Sequence, residues 1–480
     1  MQDFEPGKGI YKIGAFFDFG GEKTRVLVIF KHRKKLRSSF DTPLQRGWGL
    51  EPAACFVNGN PTVKKWEIFH LVIMRIKGGK KLIRGRKSRW AILLCLLLAV
   101  AMLAGCSSNK EAAEGNKDAD KSQEEVIKLG FLGATTGDVA NYGIPGKKGM
   151  EMAIDDLNAQ GGILGKKVEG VYEDNKGENS EIALIATKYI TRDKVVAMVG
   201  DPCTGLTKVA ADIAQKNKVV IFSAGATGTD VVEIGDYVFR NTLLDQFAVP
   251  SVVDWMMNSK GWKNFAIITS LNNGYSTALT PVFQEAIKAK GGKIVNEDTI
   301  NDGETDFTAQ ITKLKKAGAD VLVFTGYYRE AALLQNEAKK QGLDITLLGG
   351  DGLYGHDLIK LGKDAVEEKV IYYCGFSSDQ PSPETDAFIK KYVERFKEQP
   401  DMFSAQYYDA VMILAKAMTD AKSTDPSVFK DELAKLKDYP GVSGNTTFRA
   451  DREPIKSPIC LITVKDGEFF LLEKIPVKVQ

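Results

Sequence analysis

Residues 126–162 read VIKLGFLGATTGDVANYGIPGKKGMEMAIDDLNAQGG. A short apolar run, VIKLGFLGA, gives way to GKKGMEMAIDDLNAQGG, in which Met150, Ile154 and Leu157 recur at helical spacing before a double glycine. The first has the length of a buried strand, and the second has the period of a helix that stops where glycine frees the backbone. KKVEGVYED predicts the next strand, and SEIALIATKYI predicts a helix with Ser180 as its N-cap. VVAMVG (195–200), a helix near residues 205–217 and VVIFS continue the alternation. Strand and helix taking turns in this way imply a parallel sheet with helices on both faces.

The series begins again after Val249. FAIIT (265–269), a helix over 276–290, a Gly291-Gly292 stop, a helix over 306–317, DVLVFTG, a helix over 329–340 and ITLLGG form a second set. The pattern therefore predicts an α/β chain of two doubly wound, Rossmann-like lobes with a cleft between them. Ligands of such sheets collect outside the carboxyl ends of the strands.

Two strand exits of the first set, MVGDPCTGLT (198–207) and FSAGATGTD (222–230), are rich in hydroxyls and glycine. Backbone N–H groups and the Thr204 and Thr227 hydroxyls can converge there on one carboxylate at a helix N-terminus. Either stretch alone reads as an ordinary cap and turn, and the two at equivalent strand ends point to a carboxylate site. In the second set Asp351, in LLGGDGLYG, is placed to meet a ligand ammonium, or else is a solvated turn residue. Tyr142, Tyr275, Tyr327 and Phe403 sit in loop-like contexts (ANYG, NNGYST, FTGYYRE, DMFSAQYYDA) where a pocket wall competes with the core for them.

Upstream, residues 91–104 are an unbroken apolar run of 14, too short for the roughly 20 residues that cross a bilayer. Residues 74–89 hold eight basic side chains and no acid, and Leu103-Ala104-Gly105-Cys106 closes the run. That order is the one an export signal requires, and it resembles the lipobox of bacterial lipoproteins, in which the cysteine is lipidated. Residues 74–105 are thus expected to be a signal peptide starting at Met74, Cys106 the lipidation site, and 106–125 a flexible tether (SSNKEAAEGNKDADKSQEE after the cysteine). Residues 1–73 show no sustained periodicity and are expected to be a non-native or disordered extension, the alternative being a cytoplasmic extension of an uncleaved anchor.

The formal charge of +3 hides an asymmetry, because residues 1–105 hold 20 of the 65 Lys+Arg but 7 of the 62 Asp+Glu. From Cys106 onward 45 basic residues face 55 acidic ones, a net of −10. Nucleic-acid binding, which needs basic patches, is disfavoured. His356 is the only imidazole after residue 73, so histidine triads and multi-histidine metal sites are excluded, and no cofactor is implied. Cys203, Cys374 and Cys460 lack the close spacing of a metal or redox motif; they read as buried small side chains or as disulfide partners that the sequence does not pair.

Taken together, the 128–177 stretch, MVGDPCTGLTKVAADIA, FSAGATGTDV, the run from GETDFTAQ to AKKQGL and QYYDAVMILAKAM resemble the type I periplasmic-binding proteins of ABC importers, most closely the Leu/Ile/Val-binding branch, over roughly residues 126–475. The resemblance implies an N-terminal lobe of 126–245 plus 377–448 and a C-terminal lobe of 246–376 plus 449–480, joined by a three-stranded hinge near 245, 376 and 449. It assigns Thr204 and Thr227 to the ligand carboxylate, the Gly225 carbonyl and Asp351 to the ammonium, and Tyr142, Tyr275, Tyr327 and Phe403 to the side-chain pocket.

Three positions depart from the family pattern. Asp351 and Thr204 stand where the branch usually has Glu and Ser, and Lys176 stands near a cysteine that would pair with the one at Cys203. The implied function is a monomeric, extracytoplasmic binding lipoprotein on the outer face of the membrane, which captures an amino acid by lobe closure for an ABC permease and its ATPase. A sensor domain for amino acids or small amides is the alternative, and an enzyme is not expected, for want of a nucleophile–base pair.

Overall fold

The computed structural model describes residues 10–19, 22–31 and 125–477 with the exception of residue 380. The expected signal peptide, Cys106 and the tether as far as residue 124 lie outside the described residues. The chain divides into two compact units, Met1–Asn116 and Lys117–Gln480. In the first, strands β1 (Ile10–Phe19) and β2 (Glu22–Lys31) pair antiparallel, with Phe19 opposite Glu22, in a stretch where the sequence pattern predicts no element.

The second unit is built on two large sheets. The first contains β3 (Ile127–Phe131), β4 (Val168–Tyr172), β5 (Ala197–Val199), β6 (Val220–Ser223) and β7 (Val238–Arg240), all parallel, in the order β4-β3-β5-β6-β7. The second contains β8 (Asn264–Ser270), β9 (Lys293–Ile300), β10 (Val321–Phe324), β11 (Thr346–Gly349) and β12 (Val370–Cys374) in the parallel order β9-β8-β10-β11-β12. Each sheet thus repeats one winding, second strand first, with the order reversing beside its first strand. The second sheet is then extended antiparallel by β16 (Ile459–Lys465) and β17 (Glu468–Ile475). A small antiparallel sheet of β13 (Tyr439–Gly441), β14 (Gly444–Phe448) and β15 (Pro454–Ile455) lies between β12 and β16 in sequence.

The central strands read as apolar runs because helices cover both of their faces; every residue of β5, β6, β10 and β12 is buried. β9 (KIVNEDTI) has no apolar run to announce it, since it is an edge strand whose alternate residues face solvent. Helix α1 (Ala140–Ala159) buries Met150, Ile154 and Leu157 as the spacing predicts, but begins ten residues before Met150. The expected N-cap Ser180 is instead inside the first turn of α2 (Asn179–Lys188), whose capping position is Glu178 with no side-chain cap bond.

The chain leaves the second sheet after Cys374 and returns to it at Ile459. Between these points α3 (Met402–Ala421) packs along α1, and glycines permit the approach: a Cβ at Gly149 would lie 2.0 Å from the Ser404 carbonyl oxygen, and one at Gly146 would lie 2.6 Å from the Tyr407 ring. Tyr407 Oη donates to the Leu132 carbonyl at 2.5 Å and so anchors α3 to the end of β3. Among the described residues no helix is long and apolar enough to cross a membrane.

Candidate ligand-binding site

At the carboxyl end of β5 the chain turns into the helix Thr204–Asn217 through a buried polar knot. Asn175 Nδ2 (2.5 Å) and the Cys203 N–H (2.8 Å) donate to the Asp201 carboxyl, while the Ser223 and Thr207 hydroxyls donate to its backbone carbonyl. Burial pushes the Asp201 carboxyl up to about 6. After β6, Gly225 is needed for close approach: a Cβ there would sit 2.9 Å from Pro202 and 3.3 Å from the Phe403 ring. Arg240 Nη1 donates to the Ala226 carbonyl (2.9 Å) and the Gly228 carbonyl (2.5 Å), fixing the backbone on either side of Thr227. Arg240 is in turn held by a buried two-point ion pair with Glu453, Nε to Oε2 at 2.7 Å and Nη2 to Oε1.

In the second sheet, Asn273 caps the helix Gly274–Ala289 by accepting from the Tyr275 and Ser276 N–H groups, which places Tyr275 in the first turn. Tyr275 stacks on Tyr327, with centroids 5.7 Å apart and 10° between planes. Tyr327 meets Tyr142 edge-on at 5.5 Å, and Tyr142 meets Phe403 at 4.9 Å. A capping box between Asp401 and Ser404 holds the first turn of α3 and with it Phe403.

Tyr142, Gly225, Thr227, Tyr275, Tyr327, Asp351 and Phe403 line one small cavity, joined by Pro202, Cys203 and Gly352. The sequence therefore named seven of its ten wall residues. Thr204 is not on the wall: its Oγ1 accepts from the Gly228 N–H at 3.2 Å, so it braces the Thr227 loop. The walls come from both sheets and are bonded across the gap. Tyr142 Oη donates to the Gly352 carbonyl at 2.6 Å, Asn141 Nδ2 to Tyr328 Oη (3.0 Å) and Asp357 (3.1 Å), and Tyr328 Oη to the Asp138 carbonyl.

The Asp351 carboxyl on the cavity wall interacts electrostatically with a second buried carboxyl, Asp245, which is not itself a wall residue and which the sequence analysis did not single out. Asp245, the first residue of the helix Asp245–Ser259, accepts from Tyr373 Oη at 2.6 Å on Oδ1, while Oδ2 has no hydrogen-bond partner. Burial pushes it up to about 6, offset in part by Tyr373, Thr227 and Arg240. Asp351 is pushed well above the usual carboxylate range by burial and then by the charge of Asp245. Thr227 Oγ1 and Tyr275 Oη face these carboxyls, buried and without a partner of good hydrogen-bonding geometry. Among the described residues no ion pair satisfies Asp245 or Asp351, and no group of three or more His, Cys, Asp or Glu could hold a metal. In their ionised form carboxyls this buried are stabilised by a donor with positive charge.

The sequence pattern of the family described as periplasmic binding protein matches residues 126–468. The chain belongs to that family. A relative from Pseudomonas aeruginosa, the leucine-, isoleucine-, valine-, threonine- and alanine-binding protein, is 28% identical over 357 residues, covering 74% of this chain and 91% of that protein. The leucine-specific-binding protein of Salmonella typhimurium is 30% identical over 305 residues, 62% of this chain and 80% of that one. Among solved structures, the branched-chain amino acid transporter substrate binding protein LivJ of Streptococcus pneumoniae, in complex with isoleucine, is 34% identical with a TM-score of 0.69, covering 73% of this chain and 99% of that one. The leucine binding protein LivK of Thermotoga maritima is 27% identical with a TM-score of 0.70 and the same coverage. The fold is accordingly the type I periplasmic-binding architecture, and the chain is a binding protein, not an enzyme.

For this binding protein the three late cysteines are all buried and free. Asp245 was missed because an acid opening a helix reads as a favourable dipole contact, and only the fold turns it toward Asp351. Gly352 carries no chemical signal in its side chain; its backbone carbonyl is what the site uses.

Proposed function

We propose that this chain is an extracytoplasmic substrate-binding lipoprotein of an ABC importer, which captures a branched-chain aliphatic amino acid by closing its two lobes on it and delivers it to a membrane permease. The observation that carries the reading is the cavity itself, where the buried Asp351 carboxyl, interacting with Asp245 and in no ion pair among the described residues, lies among four aromatic rings. An α-ammonium would sit between Asp351 and Asp245, with the Gly225 carbonyl as a third acceptor. Asp245 would compensate for the methylene that Asp351 lacks relative to the glutamate of the branch. The ligand carboxylate would meet Thr227 and the N-terminus of the helix Thr204–Asn217. Its side chain would pack on Tyr142, Tyr275, Tyr327 and Phe403. Relatives named for leucine, isoleucine and valine support an aliphatic side chain.

The lobes are 126–245 plus 377–448 and 246–376 plus 449–480. Closure of these lobes is supported by the Tyr142–Gly352, Asn141–Tyr328 and Asn141–Asp357 bonds, which join residues of the two proposed lobes. A ligand shifts the open–closed balance only through contacts it makes in one state and not the other, and Asp351, Tyr275 and Tyr327 are those contacts here. Anchoring through lipid on Cys106 rests on the sequence around residues 91–106. The test is a thermal-shift panel of amino acids, amides and short-chain acids. A specific ligand at 100 times its Kd stabilises by about 2.7 kcal/mol. Stabilisation by leucine, isoleucine or valine is expected, and no response to any amino acid would overturn the reading. Mass spectrometry of the native protein should find it beginning at lipidated Cys106; intact residues before Met74 would refute the anchor.

A further inference from the structure

Two of the three buried cysteines face each other where the chain passes out of the second sheet and back into it. Cys374 is the last residue of β12, Cys460 is the second of β16, and the antiparallel register sets them directly opposite. Residues so paired have Cα atoms about 4.5 or 5.5 Å apart according to the pair type, and both values lie within the roughly 4.4–6.8 Å that a disulfide spans. The side chains share a face. Cys374, Cys460, Tyr372 and Ile462 belong to one apolar cluster, while the intervening Tyr373 and Leu461 belong to another on the opposite side of the sheet. The Cys374 thiol now donates to the Phe376 carbonyl at 3.0 Å, and both cysteines are free. Each also borders a surface cavity, Cys374 with Ser377 and Asp379, Cys460 with Gly375 and Ser457.

We propose that Cys374 and Cys460 are a modification site, a cross-strand dithiol that closes to a disulfide by exchange with a small external disulfide. One cysteine thiolate attacks the external disulfide, forming a mixed disulfide and releasing one external thiolate. The second cysteine thiolate then attacks the protein sulfur of that bond and releases the other. Two protein thiols are oxidised, one external disulfide is reduced to two thiols, and the two protons lost by the protein go to the thiolates released. Cys460 is the first nucleophile. Burial raises its thiol to about 11, but Lys474, opposite it on β17, works against that rise, while Asp379 reinforces it. Cys374 is raised well above the ordinary thiol range by burial, with Cys460 the next contributor. The bond would tie together the two strands at which the chain crosses between lobes, enclosing residues 374–460 in a covalent loop.

The test is to incubate the purified full chain with oxidised glutathione, then alkylate under denaturing, non-reducing conditions and map the peptides. A linked pair containing Cys374 and Cys460 is expected, with Cys203 still alkylated. The thermal midpoint of the oxidised protein should rise above that of the reduced protein, and the rise should vanish in Cys374→Ser and Cys460→Ala. Alkylation of both Cys374 and Cys460 after oxidation would overturn the proposal, as would a stable glutathione adduct on Cys460 or a link from either residue to Cys203.

Discussion

If an ammonium is held between Asp245 and Asp351, binding must weaken in acid, and the structure sets the scale. Without ligand the Asp245 carboxyl titrates at about 6 because it is buried with one oxygen unpaired. With an ammonium against it, the charged form is favoured and the group titrates lower. Between those two values the proton must leave before the ligand can bind, so affinity rises with pH and is lost as pH falls through about 6. From pH 7 to pH 5 the free Asp245 passes from about nine-tenths ionised to about one-tenth, which weakens binding about tenfold, or about 1.4 kcal/mol. Asp351, also raised, adds in the same direction. Titration calorimetry of isoleucine at pH 5, 6, 7 and 8, in two buffers of different ionisation heat, reads both the affinity and the protons released. A Kd constant across that range with no proton release would refute the carboxyl pair as the ammonium site.

Asp351→Asn should weaken amino-acid binding by about thirtyfold or more, since removing one member of a buried charge pair costs about 2–5 kcal/mol; calorimetry at pH 7 checks it, and a change below threefold would count against the assignment. Tyr142→Phe removes the 2.6 Å bond to the Gly352 carbonyl and should reduce affinity by about three- to tenfold, the worth of about 0.5–1.5 kcal/mol, without changing the thermal midpoint of the ligand-free protein by more than a few degrees. Arg240→Met strands Glu453 and frees the Ala226 and Gly228 carbonyls, so denaturant unfolding should show a loss of about 3–5 kcal/mol, and Arg240→Met with Glu453→Leu should recover part of it.

What the sequence announced was local. β6 and β10 are buried throughout and read as mainly apolar runs because helices cover both faces, and Met150, Ile154 and Leu157 mark the buried stripe of α1. Thr227 and Asp351 could be named because they follow strands, where doubly wound sheets place ligands, whereas Gly225 came from the family resemblance. What it concealed was set by distant partners. β9 alternates exposed and half-buried residues, so its membership of the sheet depends on pairing with β8. Gly146 and Gly149 read as helix-weakening residues until α3, over 250 positions later, is laid against them. Thr204, expected at the ligand carboxylate, accepts from the Gly228 N–H, a bond between two turns that neither turn predicts alone. Asp245 and the pairing of Cys374 with Cys460 needed the folded register in the same way.

A crystal structure of the protein with isoleucine bound tests the central claim most directly. The expected result is the ligand in the cavity of Tyr142, Thr227 and Phe403, its ammonium about 2.7–2.9 Å from carboxyl oxygens of both Asp351 and Asp245. A ligand bound elsewhere, or one whose ammonium points away from both carboxyls, would contradict it.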